Sequence, residues 1–150
     1  MDRSAAAQKA LEEHRKLNRE IEILKLRLDS PIQGSPAKWL AHCVDHFKEF
    51  QALLYDHIDM EETEGFMNIV REHRPTLGAR VDALQAEHGT IRRQCAELRD
   101  QLEKHADPTP DEINRVREMA AKLLDVLRLH EAEENELVQE AFTQDLGTAG

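Results

Sequence analysis

The chain has 150 residues, a third of them charged, and a formal net charge of −10. That length suits a single domain (1–150) with its own core, and the acidic balance disfavours nucleic acid as a partner. No run of about 18 apolar residues exists and the first nine residues lack a signal-type apolar stretch, so neither a membrane span nor export is expected. Cys43 and Cys95 are widely separated thiols, which fits a reduced, cytoplasmic location. Each falls on an apolar stripe and is expected to be a small core residue.

Few Gly and Pro interrupt the chain, and they cluster at three places, as an all-α protein requires. The first helix is expected over 4–28, where Leu11, His14, Leu17, Ile21, Leu24 and Leu28 recur at steps of three and four. Pro31 and Gly34 break it. Ser35 then Pro36 reads as an N-cap followed by a first-turn proline, starting a second helix over 36–71. Its stripe is Trp39, Cys43, His46, Phe50, Leu53, Leu54, His57, Met60 and Glu61. Gly65 is a place where it could bend, and Pro75 sets its latest end. A third helix over 76–105 carries Val81, Leu84, His88, Ile91, Cys95, Leu98 and Leu102. Thr109-Pro110-Asp111-Glu112 is a capping box opening a fourth helix over 110–142. That helix presents Ile113, Val116, Ala120, Leu123, Leu127, His130, Glu134, Leu137 and Ala141. The tail from Thr143 is expected to fray.

Four long helices joined by short turns predict an up-down-up-down antiparallel four-helix bundle. The histidines supply a test of register. His57 lies 43 residues after His14, and His130 lies 42 after His88. In an antiparallel pair, residues equidistant from the turn sit at one height. Midpoints between successive histidines fall at 35.5, 72.5 and 109, each in or beside a turn. All four histidines should therefore meet at one level, on four helices. His57-x-x-x-Glu61 and His130-x-x-x-Glu134 add a carboxylate about 6 Å along each of two helices.

Burying unpaired carboxylates costs several kcal/mol each, and six such groups would outweigh a folding stability of about 5–15 kcal/mol. A pair of cations removes that cost, so the layer is expected to bind metal. Imidazole with carboxylate and no thiolate suits iron, manganese or zinc and disfavours a cysteine-type structural zinc site.

The set Glu13-His14, His57-x-x-x-Glu61, Glu87-His88 and His130-x-x-x-Glu134 resembles the hemerythrin-like family, the HHE cation-binding domain, over nearly the whole chain. The resemblance implies a four-helix bundle with an oxo- or hydroxo-bridged non-haem di-iron centre. It implies that His14 and His57 ligate one iron, His88 and His130 the other, and that Glu61 and Glu134 bridge them. It further implies a small ligand: dioxygen, nitric oxide or peroxide. Oxygen-carrying members have a fifth histidine one turn after the third, where this chain has Arg92. That departure favours reactivity over reversible carriage, with peroxide or nitric oxide turnover as the enzymatic form. Arg92 is expected at the surface.

Several other residues carry weaker signals. His46 lies roughly 16 Å along the helix from His57, outside the layer. With His42 it forms at most a weak surface metal pair. His73 and His105 fall at turns and are expected to be solvated. Glu62, Glu131 and Glu133 read first as a solvated face, although a flanking acid could replace the missing ligand or orient an imidazole. Tyr55 should point away from the centre. Leu54, Ile91 and Leu127 should keep it dry. An iron- or oxygen-responsive regulatory module and a metal-free structural bundle are the competing readings. The assembly is expected to be a monomer or a weak homo-oligomer.

Overall fold

Four long helices form the body of the protein: α1 (Arg3–Asp29), α2 (Pro36–Thr63), α4 (Gly78–Lys104) and α5 (Pro110–Gly147). A short α3 (Phe66–His73) and one 3-10 turn (Pro75–Leu77) join α2 to α4. The computed structural model describes residues 3–63 and 65–147, and among these there is no strand. Successive long helices pack as neighbours, and α5 closes the ring against α1. This is the antiparallel four-helix bundle expected from the turns. No helix among the described residues is long and apolar enough to cross a membrane.

The helix ends follow the local chemistry. Ser35 Oγ accepts from the Lys38 amide at 3.4 Å. Thr109 and Glu112 complete a reciprocal capping box: Thr109 Oγ1 accepts from the Glu112 amide at 3.2 Å, and the Thr109 amide donates to Glu112 Oε1 at 3.1 Å. Gly34 supplies the left-handed backbone (φ 81°) that the first turn needs. At the far end of α1, the Arg117 guanidinium donates to the Leu28 and Ser30 carbonyls at 2.9 and 2.7 Å while lying over the Trp39 ring.

Two apolar clusters fill the bundle. The larger one contains Leu17, Ile21, Leu24, Leu28, Phe47, Phe50, Leu54, Ile58, Ile91, Leu98, Leu102 and Leu127. The smaller one contains Ala7, Ala10, Phe66, Met67, Val70, Leu77, Val81, Leu84, Leu137, Val138, Ala141 and Phe142. Along α1, α4 and α5, the buried His14, His88, His130 and Glu134 fall in sequence between members of the two clusters. The polar residues thus form a layer with apolar packing on both sides. Cys43 and Cys95 are fully buried and free, and burial pushes their thiols up to about 11 and about 12.

The second helix departs from expectation. It ends at Thr63 rather than running to 71, and α3 starts afresh at Phe66. Gly65 has extended backbone (φ −73°, ψ 154°), and a Cβ placed on it would lie 1.5 Å from the Glu61 carbonyl oxygen. Only glycine permits so close an approach. The break lets α3 fold its Phe66, Met67 and Val70 into the smaller cluster. The α2 stripe also slides: Leu40, Phe47 and Ile58 are buried, whereas Leu53 is exposed and His46 half-buried. Finally, α5 continues past 142 to Gly147 across a kink at Phe142, so the segment expected to fray from Thr143 is helical that far.

Candidate metal centre

His14, His57, His88 and His130 come from four different helices and are all buried, as are Glu61 and Glu134. The His14 and His57 rings are 5.4 Å apart between centroids, and the His88 and His130 rings 5.0 Å apart. Two sets of donor atoms converge: His14, His57, Glu61 and Glu134 in one, and Glu61, His88, His130 and Glu134 in the other. Within each set the four donor atoms lie within 4.8 Å of one another, and each could hold a metal ion. Both glutamates belong to both sets.

Glu134 is the hub of the layer. One of its oxygens lies 2.8 Å from His14 Nε2, and the other is 3.6 Å from His88 Nε2 and in contact with His130 Nε2. Glu61 reaches His57 Nε2 at 3.1 Å, His14 Nε2 at 3.3 Å and His88 Nε2 at 3.7 Å. The spacing of each His-x-x-x-Glu pair explains this geometry, because residues four apart share one helix face.

The outer ring nitrogens are held as well. His88 Nδ1 faces Glu62 Oε1 at 2.9 Å, and His130 Nδ1 faces Glu87 Oε2 at 3.1 Å. His14 Nδ1 faces the Asn135 side-chain oxygen at 2.5 Å. An acceptor at Nδ1 favours the tautomer with its proton there, leaving the Nε2 lone pair turned inward.

Electrostatics show what the layer does without a cation: it gathers protons. Burial opposes charge on His14, but Glu134 and Glu61 overcome it and raise its pKa to about 11. Burial likewise opposes charge on His57 and His130, and their carboxylate neighbours raise them to about 10 and about 9. Burial and the hydrogen bond to Glu134 push Glu61 up. Burial works the other way on Glu134, yet Glu61 and three histidines close beside it hold it well below the usual carboxylate range. Several inward atoms sit close to their neighbours yet lack a well-aligned hydrogen bond, including Nε2 of His57, His88 and His130 and Oε1 of Glu61. Buried polar atoms are rarely left so, and a cation would satisfy them together. The donor set therefore fits a metal.

A cavity of about 80 Å³ reaches the His14–His57 side of the layer. Its walls are Ala6, Ala10, Met60, Phe66 and Ile69, with Lys9 and Glu13 also lining it. Phe66 stands edge-on to His14, with ring centroids 5.6 Å apart. Leu54, Ile91 and Leu127 are buried in the larger cluster and do not line this cavity. The opening was not legible in the apolar stripes, because α3 creates it.

Arg92 turns outward, donating to Asp59 Oδ1 at 2.6 Å and lying over the Tyr55 ring. Tyr55 also faces away from the layer; its hydroxyl donates to the Arg92 carbonyl at 3.1 Å and accepts from Gln51 at 3.0 Å. His46 Nδ1 accepts from Arg27 at 2.8 Å, so that ring nitrogen is occupied and the guanidinium charge repels a cation at a His42–His46 pair; burial together with that cation lowers the His46 pKa. His73 and His105 are not simply solvated: His73 stacks on Phe142, and His105 pairs with Glu112.

The main correction concerns Glu131, read from sequence as part of a solvated face. It is 1% exposed, with its oxygens 3.5 Å from His57 Nε2 and 3.7 Å from His14 Nε2. Leu127, Glu131, Glu134 and Val138 advance by four, three and four residues, so the helical stripe did carry the signal. The surrounding run of acids concealed it.

Residues 7–142 match the hemerythrin HHE cation-binding domain, and the chain belongs to that family. The family implies cation binding, in agreement with the donor geometry. No curated protein and no solved structure matches the chain.

Proposed function

We propose that this protein holds two iron ions in the layer and uses them to bind or react with a small molecule: dioxygen, nitric oxide or peroxide. His14 and His57 would hold one ion, His88 and His130 the other, and Glu61 and Glu134, which belong to both donor sets, would serve both. The observation that carries this reading is the pair of buried His/His/Glu/Glu sets that share both glutamates. A metal-free bundle would bury these poorly aligned polar atoms for no return. Bound iron would supply the redox chemistry that no side chain of the layer can provide.

The chain's own contributions follow from its geometry. The outer acceptors Glu62, Glu87 and Asn135 orient three imidazoles. Apolar walls at Ala10, Met60, Phe66 and Ile69 limit water and favour an uncharged visitor. A cavity of about 80 Å³ admits a diatomic molecule or peroxide and is small for an organic substrate. With Arg92 turned to Asp59, the His88–His130 side lacks the further imidazole of oxygen carriers, which supports reactivity over reversible carriage.

Metal quantification with absorption spectra in air, without oxygen, and with peroxide or nitric oxide tests the proposal. Two irons per chain and near-ultraviolet charge-transfer bands that respond to one of these molecules are expected. Zinc alone, or no transition metal after iron loading, overturns the proposal.

A further inference from the structure

Glu131 lies outside the family motif quoted above and outside both four-residue donor sets. Its carboxylate is nevertheless 1% exposed, and Oε2 has no hydrogen-bond partner. Its neighbours in the layer are the inward nitrogens of His57 at 3.5 Å and His14 at 3.7 Å. In the other half, among the described residues, the carboxylates in contact with His88 and His130 on their inner side are Glu61 and Glu134, and Glu131 acts on His130 only through its charge at longer range. A buried carboxylate costs several kcal/mol unless a cation or donors compensate it. Three inward carboxylates facing four imidazoles also fit two multivalent cations better than two carboxylates would.

We propose that Glu131 is a ligand of the ion in the His14–His57 half alone and competes there with small molecules that arrive through the cavity. This rests on the two-ion reading above. The cavity reaches His14, His57 and Glu61, so an incoming ligand meets the half that already has the additional carboxylate. A monodentate carboxylate on one ion can be displaced without breaking the link between the two, because Glu61 and Glu134 maintain it. Glu131 thereby sets the threshold for binding and makes the two halves chemically unequal.

The test uses the iron-loaded protein and azide as the probe, followed by its charge-transfer band. Glu131→Ala is expected to bind azide on the order of tenfold more tightly while retaining two irons. Added acetate should weaken that binding in Glu131→Ala and leave the unmutated protein unaffected. Iron content falling from two to one, restored in Glu131→Asp, supports the same role. Unchanged azide affinity and unchanged spectra with two irons present overturn the proposal. Should the variant fail to fold, a crystal structure of the loaded unmutated protein decides: Glu131 bonded to the His14–His57 ion supports the proposal, and Glu131 turned away overturns it. A native chain that takes up no iron removes the underlying reading as well, whereas a loaded centre indifferent to Glu131 removes only this one.

Discussion

The two halves of the centre carry similar groups in different places. Around His88 and His130, carboxylates stand on the outer side, at Glu62 and Glu87. Around His14 and His57, the outer partner of His14 is the neutral Asn135, and Glu13 lies 3.5 Å from Lys16. There the additional carboxylate is inside, at Glu131. Glu62 follows Glu61 just as Asn135 follows Glu134, so one substitution between corresponding positions changes the charge behind an imidazole. The halves thus share a frame of ligands and differ in the residues beside them. On the proposed two-ion reading, the shared frame would fix where metal sits, and its neighbours would decide how each ion behaves.

The most severe way to break the comparison is to remove what the halves share. Glu134→Ala should abolish binding of both ions and destabilise the metal-free protein by about 3–5 kcal/mol, since several raised histidines lose their common counter-charge. Metal analysis and thermal melting measure the two effects.

Changing pH separates the apo layer from the loaded one. His14, His57 and His130 have folded values near 11, 10 and 9, above the ordinary 6.5. Their contribution to apo stability is therefore complete below pH 6.5 and is lost as pH rises through those folded values. Metal must displace the same protons, so uptake should release acid and affinity should climb with pH. Melting curves of apo and loaded protein, and proton release in weak buffer, check both trends.

Exchanging the outer partners sharpens the contrast. Asn135→Asp should strengthen metal binding at the His14–His57 half, and Glu62→Gln should weaken it at the other, each on the order of tenfold. Chelator competition resolves the two steps. The smallest effect lies far from the layer. Thr109→Ala removes one side of the capping box and should cost about 1 kcal/mol in denaturant melts without altering metal content.

The helical stripes and the histidine spacing made the bundle and its polar layer legible before any coordinates. Periodicity of 3.6 residues decides which face is buried, and short turns decide the register. Position 131 was harder, because a carboxylate in an acidic run looks like surface until its neighbours on other helices are known. The end of α2 was also missed. Gly65 flagged a bend, but the sequence did not show that α3 would fold inward and open a passage. His73 belongs with these, since its stacking partner Phe142 is remote in sequence.

Gly65 also bears on how the protein can change. Glu61, four residues before the glycine, and Phe66, directly after it, both line the passage, and the close approach of Gly65 to the Glu61 carbonyl links their positions. Ile69, on the passage wall and partly buried, is therefore the position where a larger or smaller group should retune which visitors fit with least disturbance to the polar layer. Position 65 itself admits no such freedom, so natural or engineered variants that alter selectivity should accumulate just beyond it and spare it.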